Sequence, residues 1–374
     1  MFDPEAVTVS DAALAGIRVV DLAGTVSTGY CGKLFADYGA EVINVERPEG
    51  FPTRQLGPFV AAEGDCRSAM HAYLSTNKKS VLWNEATETA VDRLVGSAQL
   101  VLDAGDHPFV DCCHGIRSTI AWYGEGPYQE FTGSDAQMFA LNGMLRNIGE
   151  PGDPPLIPTG YQAQVIGGLT GYVATLTEIL GRELGNVSGP AHIETSIFEA
   201  MLCFTEVGVV SGYNTGIEAS RMGINRFPPT YPLGVFPCRD GWLGVSVLTP
   251  LQWRSFCKLL DLDDLVDVPL FQTSVGRLQA LDVIEPLFCE KLLGHSAENL
   301  FYRGQAARIP LARVPTMEEL FGVDQFLTRR AFAEALLPGG SSIKVPSVPF
   351  RLYATPPHFG GKIASPGQHT GELL

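Results

Sequence analysis

The sequence predicts an α/β protein built on a parallel β-sheet that is covered by helices. Two observations support this class. Residues 16–48, GIRVVDLAGTVSTGYCGKLFADYGAEVINVERP, show the pattern of strand, small-residue loop, helix and second strand. Apolar strand-like runs and helical periodicity alternate again over residues 80–102. Because a strand, a helix and a second strand normally form a right-handed parallel crossover, we expect one continuous parallel sheet.

The opening unit supplies the first two strands and a candidate ligand loop. Residues 17–22 and 41–45 are short β-branched runs, and residues 30–38 between them are compatible with a helix. The loop ahead of this helix contains Gly24 and Gly29, which allow the backbone to come close to a ligand beyond the end of the strand. The glycines lack the spacing of a dinucleotide-binding fingerprint, and the phosphate-binding triplet GK[ST] is absent from the sequence.

Later segments continue the alternation of strands and helices. We predict a strand at residues 80–83, a helix at 87–96 and a buried strand at 100–102. A long helix is predicted over residues 162–184, and its many glycine and alanine residues allow neighbouring elements to pack closely. A second apolar helical segment follows at residues 197–210.

A change in composition marks the predicted domain boundaries. Residues 1–215 are expected to form a large domain, and residues 216–237, rich in glycine, arginine and proline, a linker. A small α+β domain is expected over residues 238–330, with a strand near its start and helices after it. Residues 331–374 form an extended segment that we expect to return to the large domain.

Composition argues against several classes of protein. The formal net charge of −15 argues against nucleic acid as a partner, because phosphate binding needs a concentrated basic face. No apolar run in the sequence is long enough to span a membrane, and the acidic amino terminus does not have the form of a secretory signal. The 8 cysteines lack the spacing of a disulfide framework or a zinc site, so we expect reduced thiols, no bound metal and a cytoplasmic location.

Several motifs along the chain resemble those of one enzyme family. They are ADYGAEVI at residues 36–43, VERP at 45–48, NKKSV at 77–81 and PGQHT at 366–370. Together and in this order they resemble the class III coenzyme A transferases, the family of formyl-CoA and carnitine-CoA transferases that also includes the α-methylacyl-CoA racemases. The resemblance covers nearly the whole chain. It implies a Rossmann-like large domain, a small domain and an interlocked-ring dimer in which two chains thread through each other.

The resemblance also implies which positions carry chemistry in the family. Class III transferases attack the acyl-CoA thioester with an aspartate carboxylate. Counting back from Arg182, whose counterpart ends the same helix, places Gln164 at the position of this nucleophile. A neutral amide cannot form the mixed anhydride. Ser134 stands where the racemases have a catalytic histidine, so two-base proton exchange is not expected either. We therefore expect no catalytic residue in this chain.

A residual coenzyme A site is expected from the same resemblance. Its candidate residues are Val26, Ser27, Arg47, Lys78 and Lys79. Two departures from the family weaken it, because the run Asp103-Ala104-Gly105 replaces Glu-Asn-Phe and Cys112 stands roughly where the family has a phosphate-binding arginine. We expect no tightly bound cofactor, with a coenzyme A thioester as a substrate of the complex.

Three functions are compatible with the sequence. The leading hypothesis is the non-catalytic subunit of a heteromeric class III CoA-transferase, such as benzylsuccinate CoA-transferase, interlocked with a paralogous catalytic subunit. The complex would move CoA from an acyl-CoA such as succinyl-CoA to a carboxylic acid. The second is a self-sufficient homodimeric CoA-transferase or acyl-CoA isomerase that uses another carboxylate such as Glu194. The third is an acyl-CoA-binding protein without turnover.

Overall fold

A computed structural model describes residues 12–62, 65–105, 107–213 and 221–374, with side chains except at 61–62, 65–66 and 206–207. The chain divides into two units. Unit 1 holds the described residues up to Met144, Pro158–Val210 and Asp324–Leu374. Unit 2 holds Leu145–Ile157 and the described residues from Ser211 to Val323. The predicted domain boundaries stay a prediction, and residues 214–220, where the linker was expected to begin, lie outside the described residues.

The strands are numbered in chain order. They are β1 (Arg18–Asp21), β2 (Glu41–Glu46), β3 (Phe59–Ala62), β4 (Asp65–Ser68), β5 (Lys78–Leu82), β6 (Leu100–Asp103), β7 (Ile116–Ala121), β8 (Ala191–Ser196), β9 (Leu233–Cys238), β10 (Gly241–Ser246), β11 (Leu311–Arg313), β12 (Phe332–Leu336), β13 (Ser342–Pro346) and β14 (Gly361–Lys362).

The helices are numbered in the same way. They are α1 (Val26–Asp37), α2 (Ala69–Leu74), α3 (Glu88–Gly96), α4 (Asp135–Leu141), α5 (Gln162–Glu183), α6 (Ile197–Ala200), α7 (Glu206–Gly212), α8 (Pro250–Leu259), α9 (Ser274–Gln279), α10 (Leu281–Leu293), α11 (Ala297–Ala306), α12 (Asp324–Thr328) and α13 (Thr370–Leu373).

The main sheet of unit 1 is parallel and has 6 strands in the order β5-β2-β1-β6-β7-β8. This confirms the predicted α/β class. The chain runs outward from β1 through β2 to β5 and then returns to place β6 on the other side of β1. The strand order therefore reverses between β1 and β6, and in parallel sheets such a reversal opens a crevice at the carboxyl ends of the strands.

Sequence reasoning missed two strands of this sheet, β7 and β8. β7, Ile116–Ala121, mixes Ile with Arg, Ser and Thr, and β8, Ala191–Ser196, is half exposed. Neither is the continuous apolar run that identifies a buried parallel strand. The predicted helix at residues 197–210 is also broken, because α6 and α7 are separated by a 3-10 turn at Met201–Phe204.

Glycines in α5 allow α1 to pack closely against it, as the sequence predicted. A Cβ added at Gly168 would lie 2.4 Å from the backbone oxygen of Ser27 in α1. A Cβ at Gly171 would lie 2.6 Å from Ile120 of β7. These two helices therefore meet at a separation that larger residues would not permit.

The free edge of β5 is covered by the last residues of the chain. The backbone N–H of Ser80 donates to Nδ1 of His369 over 3.2 Å, and the N–H of His369 donates to the carbonyl of Ser80 over 2.8 Å. The N–H of Leu82 donates to Oγ1 of Thr370 over 2.9 Å. An edge strand otherwise exposes a row of unpaired backbone groups.

Unit 2 is built on a three-stranded antiparallel sheet in the order β11-β10-β9. Its core includes Leu243 and Val245 of β10 together with Trp253, Phe256 and Phe288. The structure places residues 233–237, predicted as the end of a linker, in β9. β9 is an edge strand, where proline is tolerated because part of its backbone needs no sheet partner. Among the described residues, no helix is long and apolar enough to cross a membrane.

Candidate functional site

The first loop of the sheet lies where the strand order reverses. β1 ends at Asp21, and α1 begins at Val26 with Thr25 as its cap, whose hydroxyl oxygen accepts a hydrogen bond from the N–H of Thr28 over 3.2 Å. Val26 and Ser27, predicted to contact coenzyme A, are 2% and 1% exposed at the start of α1. Both residues lie at the crevice, a position suited to contacts between the protein backbone and a ligand. Their contact with coenzyme A stays a prediction.

Lys78, another predicted coenzyme A ligand, is buried beneath α1. Its side chain is 4% exposed, and Nζ donates to the carbonyl of Gly29 over 2.8 Å. Burial lowers the pKa of Lys78 to about 8, and the nearby carboxylate of Asp21 opposes this shift. Burial also raises the pKa of Asp21, whose Oδ1 accepts from the N–H groups of Ala23 and Gly24 over 3.1 Å each. In this structure the ammonium group of Lys78 binds the backbone of α1 at Gly29.

Arg47 and Lys79 lie apart on neighbouring strands. Arg47 follows β2 and is exposed, with its guanidinium carbon 3.9 Å from the centre of the Trp83 ring. Lys79 forms ion pairs with Glu41 over 3.0 Å and Glu372 over 2.9 Å. Because Lys79 pairs with Ile43 in the register of β2 and β5, it lies roughly 13 Å from Arg47 along the strands. The structure does not gather these two cations into one cluster.

The carboxyl end of β6 carries a guanidinium that sequence reasoning missed. Asp103 is fully buried, and its Oδ2 accepts from Nε of Arg117 over 2.9 Å. Arg117 also donates to the carbonyl of Gly105 over 3.2 Å. Cys112, expected in place of a phosphate-binding arginine, donates its thiol to Asp92 over 3.3 Å. In the sequence, Arg117 is visible only as an arginine within the segment that forms β7. Its position beside Asp103 depends on the pairing of β6 with β7.

Gln164 and Ser134, the positions that the resemblance assigns to the family nucleophile and to the racemase histidine, lie at the starts of α5 and α4. Ser134 is the cap of α4, and its hydroxyl oxygen accepts from the N–H of Gln137 over 3.4 Å. The next residue, Asp135, places its carboxylate at the first turn of α5. Its Oδ1 accepts from the N–H groups of Ala163 over 2.8 Å and Gln164 over 3.2 Å. Its Oδ2 accepts from Nε2 of Gln164 over 2.9 Å.

Three donors therefore hold one carboxylate at the amino end of a 22-residue helix. Two N–H groups in the first turn of α5, which the helix itself leaves without partners, are satisfied by this side chain. Gln164 acts here as a hydrogen-bond donor through its side chain, and an amide nitrogen or oxygen cannot replace a carboxylate nucleophile. Sequence reasoning named Ser134 and missed Asp135. The available signal was an acidic residue at the first helical position after a serine cap.

Glu194, proposed from the sequence as a substitute carboxylate, lies at a turn. Its side chain is exposed, and Oε1 accepts from the N–H of Glu125 over 3.0 Å. A Cβ at Gly124 would lie 2.8 Å from the same oxygen. The carboxylate stabilises this turn, and its catalytic role stays a prediction.

Comparison with known proteins identifies the family. The sequence model of CoA-transferase family III matches residues 14–108 and 116–370. The chain belongs to this family. It is 26% identical over 382 residues to succinate–glutarate CoA-transferase of Agrobacterium fabrum, covering 96% of this chain and 94% of that protein. It is 24% identical over 385 residues to human succinyl-CoA:glutarate CoA-transferase, covering 96% and 85%.

One relative is named as part of an assembly, and one solved structure shares the fold. The chain is 24% identical over 380 residues to the alpha subunit of succinyl-CoA–L-malate CoA-transferase of Chloroflexus aurantiacus, covering 96% of this chain and 86% of that protein. A CAIB/BAIF family protein from Brucella suis aligns with a TM-score of 0.85 and 23% identity, covering 97% of this chain and 100% of that one. The predicted membership of the class III CoA-transferases is confirmed.

Proposed function

We propose that this member of CoA-transferase family III is the non-catalytic subunit of a heteromeric CoA-transferase. Its partner is a paralogous chain that carries the aspartate nucleophile, and the complex works in the cytoplasm. The observation that carries the proposal is Gln164 at the start of α5, with its amide nitrogen held by Asp135 over 2.9 Å. A site built around a hydrogen-bonded amide has no oxygen nucleophile at that position.

The substrates follow from the relatives. Proteins named for transfer between succinyl-CoA or succinate and another carboxylic acid match 96% of this chain. The complex is therefore proposed to take CoA from succinyl-CoA and deliver it to a second carboxylic acid, with benzylsuccinate as the acceptor suggested by the resemblance to benzylsuccinate CoA-transferase. Coenzyme A enters as part of a substrate thioester and not as a tightly held cofactor.

Exposed apolar side chains on two helices of unit 1 support an assembly partner. On α5 and just after it, Val173, Leu180 and Leu184 are 55%, 58% and 66% exposed. Val209 and Val210 of α7 are 57% and 72% exposed. Apolar side chains clustered along a helix are usually covered by a partner in soluble proteins. We assign the exposed side chains of both helices to contacts with the interlocked partner chain.

Reconstitution with a paralogous chain tests the proposal. The purified chain is expected to be inert with succinyl-CoA and an acceptor acid, and to form an active complex after co-expression with a paralogue that has the aspartate. Gln164→Ala should leave the activity of the complex within a few-fold, whereas removing the aspartate of the paralogue should abolish it. Turnover by the isolated chain would contradict the proposal.

A self-sufficient homodimer is the second candidate, and Asp135 is the observation that favours it. This half-buried carboxylate lies beside Gln164 and is better placed than the exposed Glu194. Under this alternative the isolated chain turns over, and Asp135→Asn abolishes activity while Glu194→Gln does not. Binding of acyl-CoA by the isolated chain, with no turnover alone or in the complex, would instead favour the third function, an acyl-CoA-binding protein.

A further inference from the structure

β8 forms one outer edge of the main sheet. The strand order places β5 at one edge and β8, residues Ala191–Ser196, at the other. The last residues of the chain cover the edge of β5. Among the described residues, β7 is the only strand that pairs with β8. One side of β8 is therefore open to pairing with a further strand.

The pairing with β7 fixes the direction of each backbone group on β8. The N–H of Ala191 donates to the carbonyl of Gly115 over 3.1 Å, so the backbone groups of Ala191 and Ile193 point toward β7. Because successive residues of a strand alternate in direction, the N–H and C=O groups of His192 and Glu194 point away from the sheet. These groups have no hydrogen-bond partner among the described residues, and both residues are exposed.

The accessible part of this edge is short and bounded on both sides. Pro190 precedes it and has no N–H, and Ser196, which caps α6, follows it and is 8% exposed. His192 and Glu194 therefore supply two N–H donors and two C=O acceptors. An antiparallel strand with the same spacing of free groups exchanges four hydrogen bonds with them.

A second copy of β8 is a strand of this kind, and only one register suits it. In a two-fold antiparallel pair one residue lies opposite itself, on the axis. An axis at Glu194 sets two carboxylates opposite each other, which is destabilising. An axis at His192 sets Pro190 opposite Glu194 and loses hydrogen bonds. An axis at Ile193 sets His192 opposite Glu194 of the second copy, twice, and completes all four hydrogen bonds.

The two side chains that meet in this register are held in place by their own chain. Nε2 of His192 lies 2.9 Å from Oγ1 of Thr119 on β7. Oε1 of Glu194 accepts from the N–H of Glu125 over 3.0 Å. Both side chains lie on the same face of the sheet, because they are two residues apart on one strand. An imidazole therefore faces each carboxylate across the axis, in place of a second carboxylate.

We propose that β8 pairs with β8 of a second copy of this chain, antiparallel and with Ile193 on the two-fold axis, so that two six-stranded sheets join. The pairing uses none of the side chains of α5 and α7 assigned to the paralogous chain. In the proposed complex it joins two heteromeric pairs. It is independent of the proposed function, because the edge of β8 takes no part in CoA transfer.

Cysteine cross-linking of the full chain tests the register. The variants are Ile193→Cys and, as matched controls, His192→Cys and Glu194→Cys. All are made in a Cys203→Ser background, because Cys203 is exposed. On the axis the two Cα atoms of residue 193 are about 4.5 Å apart, within disulfide range. Residues 192 and 194 each lie about 7–8 Å from their own counterparts, beyond that range. Oxidation of Ile193→Cys should give at least about fivefold more linked dimer than either control.

Removal of one N–H tests the hydrogen bonds separately. His192→Pro deletes an outward N–H and no hydrogen bond to β7, a change that an edge strand tolerates. His192→Gln removes the same imidazole and keeps the N–H, so it is the matched control. In sedimentation velocity of the full chain, His192→Pro should weaken self-association at least about tenfold relative to His192→Gln.

Two results would overturn the proposal. One is cross-linking of Ile193→Cys that does not exceed that of the controls, which excludes an axis at this residue. The other is equal self-association of His192→Pro and His192→Gln, which excludes hydrogen bonds from this edge. Neither result affects the reconstitution with a paralogue, so the two proposals fail separately.

Discussion

Removal of the Asp135 carboxylate is expected to loosen the first turn of α5. Asp135→Ala removes three hydrogen bonds, two from backbone N–H groups and one from the Gln164 side chain. A helix-capping side chain contributes about 0.5–2 kcal/mol, and a charged acceptor lies toward the upper end. Because Asp135 is half-buried, water replaces part of the lost interaction. We therefore expect the substitution to lower the free energy of opening the first turn of α5 by about 2 kcal/mol.

Hydrogen exchange at the amides of Ala163 and Gln164 measures this cost locally. A loss of about 2 kcal/mol corresponds to exchange that is roughly 30-fold faster. Asp135→Asn keeps the acceptor for the backbone amides and should cost about half as much. Gln164→Ala should have little further effect in the Asp135→Ala background, since the two side chains share one hydrogen bond.

The control for this experiment is Glu130→Ala, at an exposed carboxylate in the same unit. It should leave the exchange of both amides unchanged. An increase of less than about twofold in Asp135→Ala, equivalent to under about 0.5 kcal/mol, would refute the capping role of Asp135.

Three other changes test the packing and the charges of the fold. Gly168→Ala forces a Cβ to within 2.4 Å of a backbone oxygen of α1. It should lower the unfolding free energy, measured by urea denaturation, by about 1–3 kcal/mol. The control Gly208→Ala, with open space around the new Cβ, should be neutral or slightly stabilising. Arg54→Met leaves the buried carboxylate of Glu46 without its cation and should cost about 3–5 kcal/mol; a cost below about 1 kcal/mol would contradict the structure. His71 stays neutral when folded but takes up a proton when unfolded, so stability should fall as the pH drops below about 6.5, and His71→Gln should reduce this slope in a series of melting temperatures.

Local sequence patterns were sufficient to predict the central strands of the sheet. They were insufficient to predict the side-chain contacts that these strands make. The runs at residues 17–22 and 41–45 identified β1 and β2 because the β-branched residues within them, such as Val19, Val20 and Ile43, are fully buried in the sheet. The glycines of α5 predicted close packing because their spacing is local. Lys78, in contrast, gave no sequence signal for its place beneath α1, since that place depends on how β5 pairs with β2.

The residues of the candidate site divide in the same way, into those that a local motif identifies and those that only tertiary structure brings together. Gln164 and Ser134 were identified by their place in a motif, which is a property of the linear sequence. Asp135 receives donors 28 and 29 residues away, and Arg117 reaches an acid 14 residues before it. Such pairs depend on tertiary structure, so a single sequence without an alignment cannot predict them.

The cover over β5 joins parts of the chain that are far apart in sequence. His369 bonds Ser80 and Thr370 bonds Leu82, at sequence separations of 289 and 288 residues. Contacts that close so long a loop form slowly in comparison with local ones. We therefore expect the edge of β5 to be covered late in folding, and until then its backbone groups remain open to pairing with other strands.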